Sequence, residues 1–206
     1  NAPASAASEF GKVISLNPRS ADGHVWLARI SGRMQQPRKM REHLLAALEI
    51  SPDSDEAKQL LLKSYLDTGE FDSAQAIVTS LIQKQPSRPA VRLLAASVAS
   101  YQGKYPEMVK QLNKAFELEP SEKNLVALAK GYYKSGAIQA STTRLADWIA
   151  QKPNSRLAIF ALADQYLEQN EIIRAEELLQ KLIAIEPKHF IALNNLAWIL
   201  RNKAPD

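Results

Sequence analysis

The chain has no cysteine, which excludes disulfides, thiolate zinc sites and cysteine nucleophiles together. Glycine is scarce, at 7 of 206 residues, and aromatics make up 7%, whereas Ala, Leu, Lys, Glu and Gln abound. Those abundant side chains lose little rotamer freedom on a helix, so the composition leans all-α. No apolar run approaches the ~20 residues that span a bilayer. The opening stretch NAPASAASEF lacks a basic segment followed by an apolar one, so this stretch of chain is expected to be soluble. Charge is balanced as well: 26 basic against 22 acidic residues leave a formal +4 with no long run of one sign. Lys-rich solvated helix faces produce such an excess, and no nucleic-acid partner is expected from it. A GxSxG elbow, a glycine-rich phosphate loop and an HExxH helix are all missing, so no catalytic residue, metal ligand or cofactor is assigned and the chain is not expected to be an enzyme.

What is present is a lattice. Prolines stand at 18, 52, 86, 120, 153 and 187, at spacings of 34, 34, 34, 33 and 34, each closing a helical stretch. Other columns keep step with them. Twelve residues before the prolines lie Ala6, Met40, Ala74, Met108, Ser141 and Ala175; eight before lie Phe10, Leu44, Val78, Leu112, Leu145 and Leu179. Five before come Val13, Ala47, Leu81, Ala115, Trp148 and Leu182, completing one apolar helical stripe. Upstream, the pairs Leu27-Ala28, Leu61-Leu62, Ala95-Ala96, Leu128-Ala129 and Leu162-Ala163 mark a second helix. Between the two helices stand Gln35, Gly69, Gly103, Gly136 and Asn170, mostly residue types that tolerate a left-handed backbone at a helix end. Ser87, Ser121 and Ser155 are candidate N-caps, and Pro89 and Pro106 suit a first helical turn.

A 34-residue helix-turn-helix unit with these columns resembles the tetratricopeptide repeat, over essentially the whole chain. Two departures stand out: His24, Lys58 and Arg92 occupy the position where that family favours Trp, and one residue is missing near Ser121 to Asn124. The resemblance implies an all-α fold, a right-handed superhelical solenoid of antiparallel helix pairs with about twelve helices. Residues 1–18 would be a partial repeat (helix B, near Ala4 to Leu16), residues 21–189 five full repeats, and residues 190–206 a partial repeat (helix A, near Phe190 to Asn202). Neither end carries a polar capping helix, so a single array cut from a longer one is expected, with weak end-to-end self-association through Leu196 and Trp198.

Function is then expected at the A helices, which in this family line the concave face. By phase the peptide-binding candidates are Arg29, Arg33, Lys63, Tyr101, Lys130, Tyr133, Lys134 and Asp164. Lys and Arg would hold carboxylates and the tyrosines would supply contact area for an extended, acidic peptide segment. His24, His43 and His189 lie far apart in repeat phase and are read as surface or interhelical residues; Glu176 and Glu177, with Asp164, Glu168 and Glu171 nearby and Arg174 and Lys181 in their company, are read as a solvated face. Trp26 and Trp198 fall outside the core columns and could stack a ring. The expected role is a non-catalytic protein-interaction scaffold. The loops and the segment HFIALNNLAWIL are similar in style to bacterial multi-repeat lipoproteins of exopolysaccharide and PEP-CTERM sorting systems. That similarity implies a periplasmic or envelope setting and, as an alternative, polysaccharide binding; an RNA-binding solenoid is a weaker one.

Overall fold

The computed structural model describes residues 17–203, and every regular element among them is an α-helix. In chain order these are α1 (Ala21–Arg33), α2 (Pro37–Ile50), α3 (Asp55–Asp67), α4 (Phe71–Lys84), α5 (Pro89–Tyr101), α6 (Tyr105–Leu118), α7 (Glu122–Lys134), α8 (Ile138–Gln151), α9 (Arg156–Glu168), α10 (Ile172–Ile185) and α11 (Phe190–Lys203). The helix expected at Ala4 to Leu16 lies outside the described residues. The chain forms two compact units, Asn1–Pro86 and Ser87–Asp206. In the first, α1 pairs with α2 and α3 with α4; in the second, α5 pairs with α6, α7 with α8 and α9 with α10, and α11 packs on α10. Links this short make each pair antiparallel.

The turn inside each pair is set by one backbone conformation. Gln35, Gly69, Gly103, Gly136 and Asn170 all have positive φ, between 57° and 82°. Each stands just past a helix end, and the amide N–H that follows it donates back to a carbonyl of the last turn, as Gln36 does to Ser31 O at 2.9 Å. Left-handed residues end helices in this way because the chain doubles back while the last carbonyls keep donors.

Helix starts follow the prolines. Ser20 and Ser54, two residues after Pro18 and Pro52, each accept a hydrogen bond from an amide of the first turn. Of the three expected caps, Ser121 caps its helix while Ser87 and Ser155 do not. At Pro86 the capping position falls on Arg88 rather than Ser87, because the regular loop needs two residues after proline. Ser121 does cap, directly after Pro120, because this is the loop that lost a residue. Asn124 Nδ2 donates to Glu119 O at 2.9 Å and holds the shortened loop closed.

The apolar columns form the interior. Leu44, Ala47, Ala74, Val78, Ala115, Leu145, Ala175, Leu179 and Leu182 have no exposed surface, and all five Leu or Ala pairs of the upstream column are buried. Each small residue lets a neighbouring helix approach while the bulky one four residues on fills the space between, so both units bury a continuous apolar layer.

Candidate functional site

The sequence candidates divide between the two units. In the first, Arg29 on α1 pairs with Glu56 on α3 at 2.6 Å and also lies over the Trp26 ring, 5.2 Å from its centroid. Lys63 pairs with Asp67 one turn on, at 3.5 Å. Arg33 sits in the last turn of α1, where a cation complements the helix C-terminus. A cleft of about 540 Å³ between α1, α2 and α3 has Lys63, Ser64, Asp67 and Met40 in its walls. Two of the three cations expected there are thus already neutralised within the protein.

The second unit differs. Lys130, Tyr133 and Lys134 on α7 face Asp164, Gln165 and Glu168 on α9 across a cleft of about 410 Å³. Lys130 and Lys134 also form one wall of a neighbouring cleft of about 360 Å³, whose floor and far wall come from α5 and α6. Neither lysine takes part in an ion pair among the described residues. Asp164 keeps an exposed edge, yet the protein around it strips solvent from its carboxyl and Glu168 adds a like charge; both raise its pKa, against a smaller pull downward from Lys130. The Glu168 carboxylate near the Tyr133 hydroxyl, followed by desolvation and the Asp164 charge, raises the phenol's pKa. Tyr101 is exposed at the end of α5.

Backbone placement sharpens this cleft. α7 and α9 pack directly on each other. Glu122, in the first turn of α7, accepts a 3.0 Å hydrogen bond from the amide of Ala158 near the start of α9. Ser155 occupies the α9 capping position, but its hydroxyl accepts from the Trp148 indole Nε1 at 2.9 Å and makes no cap bond. Below the cleft, the buried Ser141 hydroxyl donates to Ala129 O at 2.6 Å and lies 3.0 Å from Gln165 Oε1, tying α8 to both walls.

The histidines require a correction. His24 and His43 are not apart: their Nδ1 atoms are 3.4 Å from each other and their ring centroids 5.7 Å. A separation of 19 residues joins facing positions of consecutive helices here, as it also does in Arg92 with Gln111 and Asn113 with Tyr132. That interval was present in the sequence and would have revealed the pair. His189 Nδ1 accepts from the Ala192 amide at 3.1 Å, at the start of α11. Trp148 is half-buried against Phe116, with Lys152 Nζ 3.9 Å from its ring centroid, whereas Trp26 and Trp198 are exposed. Glu171 pairs with Arg174 at 2.7 Å on the outer surface. Leu196 is half-buried, and α11 exposes Phe190, Ile191, Trp198 and Leu200. Among the described residues no group of three or more His, Asp or Glu is placed to hold a metal, and no helix is long and apolar enough to cross a membrane.

Residues 41–98 match the tetratricopeptide-repeat family model. Solved structures of the same fold include yeast Tom70, at a TM-score of 0.73 and 19% identity, covering 96% of this chain and 42% of that one. A tetratricopeptide protein of Thermus thermophilus, TTC0263, gives 0.62 at 16% identity, over 88% of this chain and all of that one. YrrB, a tetratricopeptide protein with an unusual peptide-binding site, gives 0.51 at 18% identity, over 92% and 98% of the two chains. At these identities the likeness is one of fold, and the chain spans about two-fifths of the Tom70 chain. No curated protein sequence matches.

Proposed function

We propose that this chain is a non-catalytic protein-interaction scaffold that holds an extended peptide across the α5, α7 and α9 face of its second unit, with Lys130 and Lys134 as the anion contacts. One observation carries the reading: two lysines that form no ion pair among the described residues make the shared wall of two adjacent clefts. Such cations raise the local concentration of acidic ligands and can each bond a carboxylate that a ligand brings. Tyr101, Tyr133 and Asp164 belong to the same unit, whereas Arg29 and Lys63, engaged with Glu56 and Asp67, play a lesser part and Arg33 is an accessory contact.

The test is a Lys130→Glu, Lys134→Glu variant used beside the unaltered protein to capture partners from its native host, after circular dichroism shows equal helicity. Loss of specific partners is expected, since exposed substitutions of this kind usually shift stability by only about 0.5 kcal/mol. Identical partner sets would move the binding site off this face. The envelope and exopolysaccharide setting belongs to the same proposal, on the strength of the similarity in loop style, and predicts partners from that compartment. Weak self-association through Leu196 and Trp198 of α11 is a further part, read out by sedimentation of a Trp198→Glu variant.

A further inference from the structure

The second unit's two clefts differ in chemistry, and the difference specifies more about a ligand than its being a peptide. The cleft between α5 and α7 is apolar, formed by Leu93, Ala96, Met108, Leu112, Ala127 and Gly131. Its depth depends on Gly131. A Cβ at that position would overlap Leu112 Cδ1, so the missing side chain lets Leu112 lie against the α7 backbone and keeps the floor low. Lys130 and Lys134 rise between this cleft and the next one, where Asp164 and Glu168 stand on α9. Going from α5 to α9 the surface therefore reads apolar, cationic, anionic, all within one compact unit.

Asp164 supports the last element. It is exposed on the α9 wall, lies beside the Glu168 carboxylate and has no ion pair among the described residues, so a cation arriving from outside would offset the two like charges. α7 and α9 pack on each other; packed helices lie ~8–10 Å apart and an extended chain rises ~3.3 Å per residue, so about three residues of ligand separate these two walls.

Resting on the peptide-scaffold reading above, we propose that the α5/α7/α9 face selects a short extended segment with an apolar residue, an acidic residue and a basic residue in spatial order, the acid in the middle. The apolar side chain enters the cleft over Leu112 and Gly131, the acid meets Lys130 and Lys134, and the base meets Asp164 and Glu168. An acid at either end of the three would face apolar lining or a carboxylate, which costs desolvation or repulsion with no return.

The experiment uses the full chain and capped synthetic peptides of one composition, each with leucine, aspartate and lysine separated by pairs of serines, followed by fluorescence anisotropy. The two orders with aspartate in the middle should bind at least about 10-fold more tightly than the orders with aspartate at an end. Ser97→Trp, which places a ring from exposed Ser97 into the apolar cleft, should abolish the preference for leucine over glycine at the first position. Asp164→Lys with Glu168→Lys should shift the preference from lysine to glutamate at the last. Equal affinities for all orders, or an unchanged last-position preference in the charge-reversed variant, overturn the inference. Display of random peptides against the same protein separates the two levels. Ligands that depend on Lys130 and Lys134 but lack the order leave the scaffold reading standing and sink this one; an absence of ligands that depend on those lysines sinks both.

Discussion

Glu122 of α7 accepts a 3.0 Å hydrogen bond from the backbone amide of Ala158 and so caps, from another helix, the start of α9. Ser155 stands in the capping position itself but is taken up by Trp148. A carboxylate at this place both satisfies an otherwise free N–H and complements the positive end of the helix. Glu122→Ala is expected to destabilise the protein by about 1 kcal/mol, and Glu122→Gln by less, because the amide oxygen still accepts. Urea unfolding followed by circular dichroism measures both; equal losses would mean that charge rather than the hydrogen bond matters.

Ser141 has no exposed surface, and Gln165 is almost fully buried. The one Ser141 hydroxyl proton lies between Ala129 O and Gln165 Oε1, and removing the hydroxyl leaves both acceptors without that donor, so Ser141→Ala should cost about 1–3 kcal/mol despite the Ala found at equivalent positions. Ser141→Ala combined with Gln165→Leu should recover part of the loss, since replacing both partners removes the unsatisfied group. A thermal-melting double-mutant cycle gives the coupling, and strict additivity would argue against it.

Gln35 holds φ at 57° where three equivalent turns use glycine. A side chain in this region carries a steric cost that glycine avoids, so Gln35→Gly should stabilise the first unit by several tenths to about 1 kcal/mol. Gly69→Ala, at φ 75°, should destabilise by a similar amount. Melting temperatures that move the other way would show that Gln35 makes compensating interactions.

For Asp164 the folded-state pKa lies above the ordinary 3.8. The folded protein then binds a proton that the unfolded chain has released, so this group's contribution is best below the unfolded value and is lost as pH rises through the folded one. Asp164→Asn should therefore raise the melting temperature at pH 7, with the gain shrinking as pH falls toward the unfolded value. A gain that persists unchanged in strong acid would assign the effect to something other than the charge.

For His43 the shift is opposite. Desolvation and then the neighbouring His24 lower its pKa from 6.5; Glu42 acts the other way, and Lys39 adds a smaller downward pull. The unfolded chain then takes up a proton first, so stability is full above about 6.5 and declines as pH falls from there to the folded pKa. His43→Gln should flatten this part of the stability profile. Denaturant midpoints between about pH 7.5 and 5 provide the check, and an unaltered slope in the variant would remove His43 as its source.

The helices and their interior were legible in the linear chain. Pro120 and its fellows mark the loops, the five positions from Gln35 to Asn170 carry the left-handed turn, and the columns running through Leu44 and Leu179 are buried as their period requires. Such features depend on local backbone sterics and on periodicity within one helix, which a linear pattern records directly. The fate of the charges was settled in three dimensions. Arg29 and Lys130 look alike by phase, yet Arg29 finds Glu56 on the next A-type helix while Lys130 finds no partner within ion-pair distance. Likewise Ser155 lost its cap to a tryptophan seven residues earlier. These outcomes turn on side-chain reach between separate helices, where a rotamer or an ångström of spacing decides which donor meets which acceptor, and sequence phase does not encode that distance.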